Sequence, residues 1–288
     1  MIEEVAVRHR TFYQETWNRL RSNRAAYISA WILLTISLLA AFAPTLSPYS
    51  YTQLHLELKN TPPSLHFWFG TDELGRDLFT RVWWGARISL FIGITAATID
   101  LILGVVWASM ASYFGGKIEE ALMRICDILH SIPYLLVVIF LTVIRGCGLV
   151  TILIAMTITG WIGMARIVRA QILNLKQNDY ILAARAIGAS PARIMIRHLI
   201  PNAIGPIIAT MTLTVPSAIF TEAFLSFLGL GIQAPAASWG VMMNDGLNAM
   251  RYYPWRLFFP ALMITVTTIS FNLLGNALRD ALDPRLRT

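Results

Sequence analysis

Apolar residues in this chain gather in long runs, without the strict alternation of strands or the narrow stripe of a surface helix. Ala25 to Leu46 carries no charged residue, and Ile88 to Phe114 carries one, Asp100. Further runs cover Ile128–Ile144, Gly146–Ala165, Leu199–Thr221 and Leu257–Leu278. Crossing ~30 Å of hydrocarbon takes roughly 20 mostly apolar residues. The pattern therefore predicts an all-α membrane protein with six transmembrane helices, the third starting a turn or two before Ile128. Ala223–Asn244 is also uncharged, but Gly229, Gly231, Pro235 and Gly240 argue against a lipid-facing helix. It reads as a short helix and loop against the bundle or at the outer surface. The first run follows Arg19, Arg21 and Arg24, as a signal peptide does. At about 20 residues it exceeds the 7–15 of a signal core, so it reads as a retained span.

Composition supports this reading. The chain has 288 residues, 56% apolar and 14% charged, against about 45–50% and 25% in soluble domains. That excludes a water-soluble globule, and the high hydrophobicity excludes disorder. The formal charge of +7 reads as basic loops facing cytoplasm and anionic lipid, not as a nucleic-acid surface. With both ends inside, most Lys and Arg fall on the cytoplasmic side, concentrated in 1–24 and 166–198. The layout is then a cytoplasmic segment 1–24, a span 25–46, an outer loop 47–87, a bundle 88–279 and a cytoplasmic tail 280–288. Cys126 and Cys147 are the two cysteines, too few for a disulfide framework or a four-cysteine metal site. Trp83, Trp84, Trp161, Trp239 and Trp255 fall near span ends and read as an interfacial aromatic belt.

The loop between the fourth and fifth spans is the most informative stretch. Asn178 or Asp179 can cap a first helix, Gly188 can end it, and Ser190 can cap a second helix with Pro191 at its first position. Pro201 then marks entry into the fifth span. Small residues at Ala183, Ala184, Ala186 and Ala189 would let another backbone come close, making a docking knob; the plainer reading is a loop helix rich in alanine. Asp100 lies inside a span, where an acid is costly, and Glu222 lies at a span end. Both are candidate pathway residues. Asp100 has the alternative of a polar helix contact, and Glu222 that of a helix-end charge. No phosphate loop, nucleophile elbow or paired histidine motif occurs.

Ala183, Ala184, Gly188 and Pro201 are spaced as in the "EAA" loop of ABC transporter permeases. Leu182 stands where that family has Glu, His198 where it has Ile, and Ile200 where it has Leu. The runs Phe69–Arg81 and Gly85–Leu90, Ala223–Gln233 with Pro235, Ser238, Trp239 and Gly240, and Asn272–Asp280 with Asp283–Arg285 resemble the oligopeptide/dipeptide branch, its "C"-type subunit. The resemblance implies a type I ABC importer permease fold over 88–279 with an extra N-terminal helix, in a bacterial inner membrane. It implies a second, related permease making a heterodimer, two ATPase subunits that bind the ATP, and an extracytoplasmic peptide-binding protein. It gives no enzyme activity to the chain itself. It implies ATPase coupling through Asp179, Leu182, Ala183, Ala184, Gly188, Ala189, Arg193 and Pro201. Two other readings stand beside it: a permease for nickel or another small solute, and an ion-coupled secondary transporter using Asp100.

Overall fold

The structure, a computed structural model, describes residues 12–282. Residues 1–11 of the segment 1–24 lie outside them, as do the tail after Leu282 and the motif residues Asp283–Arg285. The described residues are helical: α1 (Phe12–Ser22), α2 (Arg24–Leu46), α3 (Leu78–Phe114), α4 (Gly116–Ser131), α5 (Tyr134–Arg145), α6 (Leu149–Thr159), α7 (Trp161–Leu175), α8 (Asp179–Ala186), α9 (Pro191–Ile194), α10 (Ile200–Phe227), α11 (Trp239–Leu247) and α12 (Trp255–Leu282). α2, α3, α6 with α7, α9 with α10, and α12 are long and apolar enough to cross a membrane.

Four boundaries differ from the sequence reading, each for a local reason. The second span begins at Leu78 rather than Ile88, because the Asp77 carboxylate accepts from Thr80 N at 2.8 Å and caps the helix there. Arg81 and Arg87 therefore sit inside the helix. The third span is not one helix: α4 and α5 meet at Ile132–Pro133 with a 75° bend, where proline removes a donor and clashes with the preceding turn. The fourth span runs past Ala165 to Leu175, because Arg166 and Arg169 find partners in Asp127 and Glu119 on α4, at 2.9 and 2.6 Å. Pro201 does not open the fifth span. Ser190 and Pro191 start a helix that continues to Phe227. A π turn at Met195–Leu199 widens it just ahead of the Pro201 ring.

The helices pack closely because small residues line their contacts. A Cβ at Gly104 of α3 would lie 2.6 Å from the Met164 Cβ of α7, so only glycine permits that approach. α2, α3, α10, α11 and α12 share a core of Ile36, Ala40, Trp83, Ala86, Ile219, Trp239 and Ile264. α2 carries Pro44, which cannot donate to the Ala40 carbonyl one turn back. Arg87 of α3 supplies that donor, its Nε 2.6 Å from Ala40 O, while its guanidinium lies over Trp84.

Three of the five tryptophans are core residues rather than part of a belt, while Trp84 and Trp255 are half-buried. Trp83, Trp161 and Trp239 are buried. Trp239 Nε1 donates to Val82 O at 3.0 Å, and Trp84 stacks on Tyr51. For Trp83, Trp161 and Trp239, burial of the whole indole in helix contacts replaces the interfacial role.

Candidate functional site

Two ends of the bundle differ in chemistry. At one end α8 and α9 make a corner. α8 starts after Asn178 and ends in a turn where Ala189 N donates to Ala184 O and Gly188 N to Arg185 O, both at 3.0 Å. This double closure needs a left-handed residue, and Gly188 has φ of +83°. Ser190 Oγ accepts from Arg193 N and caps α9. The corner is fixed to the bundle by Ile181, Ala184, Ile194 and Met195, packed on Val168 and Ile172 of α7. Lys176 Nζ donates to the carbonyl of Ser112 at the end of α3. Burial holds the Lys176 ammonium below its usual range, the nearby Arg185 adding to the effect and Glu119 opposing it.

The corner's other face is open. Leu182 is 50% exposed, Ile187 86% and Ile196 69%; Asp179, Ala183, Gly188 and Arg193 are exposed beside them. Ala184 is buried and Ala189 half-buried, so the small residues do not form one outward face. Pro201 is exposed on α10, beyond the π turn. Among the described residues, no atom beyond the two chain neighbours lies within 4 Å of where a Gly188 Cβ would stand.

The opposite end is a polar network. Asp72 Oδ2 lies 2.6 Å from Arg76 Nε and 3.4 Å from Arg81 Nε, all buried. Its Oδ1 accepts from the backbone of Leu74 and Arg76 at 2.9 Å. Arg256 of α12 reaches Glu73 Oε2 at 3.0 Å, and Asn60 and the Asp245 carbonyl at 3.2 Å. Burial raises the Asp245 carboxyl above the usual range, with Arg81 opposing it. The run Phe69–Arg81 is thus the frame that seats segment 47–77 on α3.

Glu222 is not a surface helix-end charge. It is 0% exposed, and its carboxylate accepts from Ser238 Oγ at 2.6 Å, Ser226 Oγ at 2.8 Å and Ser89 Oγ at 3.2 Å. It pins α11 to α3 and α10, because three hydroxyl donors from three segments converge on one carboxylate. Glu222→Ala strips these hydroxyls of their acceptor, at about 1–3 kcal/mol for each orphaned group. The expected result is an assembled complex that melts several degrees lower, and Glu222→Gln should lose less; unchanged melting for both contradicts the pin.

Asp100 is buried in α3 against α7. Both its carboxylate oxygens lie 2.7 Å from where a Gly160 Cβ would stand, and Oδ1 has no hydrogen-bond partner among the described residues. Neither Asp100 nor Glu222 lines the broad groove between the helices. That groove, about 940 Å³, runs between α7, α10 and the end of α12. Gln171, Asn174, Asn178, Asn202, Thr210, Thr214, Ser217 and Arg279 line it. Reasoning from charged residues missed it, since its polarity is carried by amides and hydroxyls. The signal was present: Thr210, Thr214 and Ser217 recur at helical spacing inside an apolar run.

Known proteins share this architecture. Residues 100–288 match the model of the binding-protein-dependent transport system inner membrane component. Residues 11–63 match the N-terminal TM domain of oligopeptide transport permease C. The chain is 54% identical over 285 residues to the oligopeptide transport system permease protein OppC of Bacillus subtilis, covering 99% of this chain and 93% of that one. The chain belongs to the binding-protein-dependent transport system inner membrane component family. It is 55% identical to the dipeptide transport system permease protein DppC of the same organism, covering 96% of this chain and 87% of that one. The OppC of Escherichia coli is 42% identical, covering 99% and 95%. A chain of the MetNI methionine ABC transporter, solved in inward-facing conformations, superposes with a TM-score of 0.60 at 18% identity, over 70% of this chain and 96% of that one. The type I ABC importer permease fold expected from the motifs is therefore present, as a transport permease subunit embedded in a membrane.

Proposed function

We propose that this permease is one half of the translocation pathway of an ATP-driven importer of dipeptides or oligopeptides. A second, related permease supplies the other half, two ATPase subunits bind and hydrolyse the ATP, and an extracytoplasmic peptide-binding protein delivers the cargo. The observation that carries the coupling role is the corner of α8 and α9. It has a rigid backbone, is fixed to α7 and α3, and turns Leu182, Ile187 and Ile196 outward. Apolar side chains on a loop at the basic end of a membrane protein need a partner to cover them. An ATPase groove would cover them, with Asp179, Ala183 and Arg193 at its rim. Closure of the ATPases would push the corner and turn α7 and α10 as rigid bodies, the motion of alternating access. The corner end then faces the cytoplasm, with both chain ends on that side.

The groove between α7 and α10 suits the cargo. Side-chain amides and hydroxyls can bond peptide N–H and C=O groups whatever the sequence, and Arg279 can meet a carboxylate. The dipeptide and oligopeptide names of the relatives support this cargo. No observation favours nickel or ion-coupled transport over it.

The test is co-purification. The chain, tagged at its carboxyl end and extracted in mild detergent, should bring down a second permease and ATPase subunits. ATP hydrolysis should rise when the binding protein and peptide are added together. A lone chain under conditions that keep a control ABC importer intact would overturn the assignment.

A further inference from the structure

The groove between α7, α10 and α12 has a chemical direction. On α10, Thr210 Oγ1 donates to Pro206 O at 2.8 Å, Thr214 Oγ1 to Thr210 O at 3.0 Å and Ser217 Oγ to Leu213 O at 3.3 Å. The helix itself thus holds each hydroxyl hydrogen, and each oxygen is left to the groove as an acceptor. Asn202 Nδ2 is held likewise by His198 O at 2.6 Å, which leaves Oδ1. The α10 wall therefore takes N–H groups. Arg279 of α12 is the charged residue among those that line the groove. It is exposed, and among the described residues it makes no ion pair.

The packing of α12 on α10 sets the level of Arg279. A Cβ at Gly275 would lie 2.9 Å from Leu213 Cδ2, and one at Gly205 would lie 2.9 Å from Leu282 Cβ. The two helices run antiparallel there, so Arg279 falls level with Ile208. From that level to Ser217, α10 rises about 13 Å at ~1.5 Å per residue. An extended peptide advances about 3.3–3.6 Å per residue, so about four residues fill the interval. In the other direction the groove runs on to Asn178 at the corner. There Lys176, Arg185, Arg193 and Arg197 outnumber Asp179 and Asp280. That field draws a carboxylate and repels an ammonium.

We propose that this groove reads the free C-terminal carboxylate of a linear peptide. Arg279 pairs with the carboxylate, in the forked geometry that suits a guanidinium. The backbone N–H groups and the amino end lie along Thr210, Thr214 and Ser217. The peptide therefore lies with its carboxyl end toward the corner, and that end leads. The inference rests on the peptide-transport reading above and adds to it the end that is recognised and the polarity of passage.

The assembled transporter, with its ATPases and binding protein, is reconstituted in vesicles. The probes are tetra-alanine as the free acid, tetra-alanine amide, and Ala-Ala-Ala-Glu amide, which carries its carboxylate on a side chain. Uptake is compared at equal occupancy of the binding protein, measured separately for each peptide. The native transporter should take up the free acid several-fold faster than either amide. Arg279→Gln should bring the ratio of acid to amide close to one, and Arg279→Lys should keep part of the preference. Equal uptake of tetra-alanine and its amide by the native protein, or a preference that survives Arg279→Gln, would overturn the inference and leave the peptide reading standing. Equal uptake of the free acid and the glutamyl amide would assign Arg279 to any carboxylate and overturn end recognition. ATP-driven uptake of none of the three would overturn the peptide reading itself, and this inference with it. If Arg279→Gln does not assemble, the native protein serves with tetrapeptides that carry a photoreactive residue at one end. A carboxyl-end probe should label around Ile208 and Arg279, and an amino-end probe around Leu213 to Ser217. The reverse pattern, or the same pattern from both probes, would overturn the polarity.

Discussion

Gly188→Trp is expected to abolish peptide uptake while the protein stays in the membrane at its normal level. The corner residue holds φ of +83°, where an L side chain costs about 1–2 kcal/mol. That is too little to unfold a membrane bundle. The first atom of the new side chain stands in open space, since among the described residues nothing beyond the two chain neighbours lies within 4 Å of the Cβ position. A loss of transport in the tryptophan variant that the alanine variant does not share would then come from what docks there. Gly188→Ala is the control, because it carries the backbone strain without the bulk. Uptake is measured with labelled peptide in cells, alongside ATPase co-purification. Alanine should keep most uptake and tryptophan almost none, with the ATPases lost from the complex. Normal uptake by the tryptophan variant, or equal loss in both, would remove the steric docking argument.

The largest effect on stability is expected at Asp72. Its carboxylate serves the buried Arg76 and Arg81 and two backbone N–H groups at once. Asp72→Ala leaves two guanidinium groups buried without their counter-ion, and breaking such a pair from one side costs about 3–5 kcal/mol. Segment 47–77 should come away from α3, because Arg81 also holds the Tyr51 carbonyl at 3.2 Å. Limited proteolysis should then cut between residues 47 and 77, and thermal melting of the complex should fall well beyond the change in Glu222→Gln. Asp72→Asn, which keeps one acceptor oxygen but replaces the other with an NH2 donor and removes the charge, should lie between. Proteolysis and melting equal to the native protein would mean that the network is dispensable.

The corner was legible because its signals are local. A cap, a left-handed glycine, a second cap and a proline at a first helical position each act within four residues. Their order in 178–191 gave both helices and the turn between them. The identities on its outward face were not legible. Ala184 and Ala183 are adjacent in sequence, yet one is buried and the other exposed. Which of them faces a partner depends on how α8 leans on α7, and that is set by Ile181 and Met195 packing on residues far along the chain.

The charged residues divided in the same way. Asp100 and Glu222 stood out as acids in apolar surroundings, and both are buried. Only the fold brings Ser89, Ser226 and Ser238 around Glu222, from three separate segments. Arg87 read as a loop charge because its acceptors, the Ala40 and Ala41 carbonyls, belong to a helix 46 residues earlier.

By itself, the sequence determined that this chain lives in a membrane, that it is helical, where its spans fall to within a few turns, and which family its motifs belong to. These follow from the free energy of burying apolar runs and from hydrogen bonds closed within a turn or two, both written in consecutive residues. The tertiary structure decided the 75° break at Pro133, the continuation of the helix past Pro201, the burial of Trp83, Trp161, Trp239 and Glu222, and the groove with its amides and hydroxyls. These depend on which surfaces of distant helices meet, and a hydrophobic run is nearly silent about that, because in lipid every face of the helix is equally apolar.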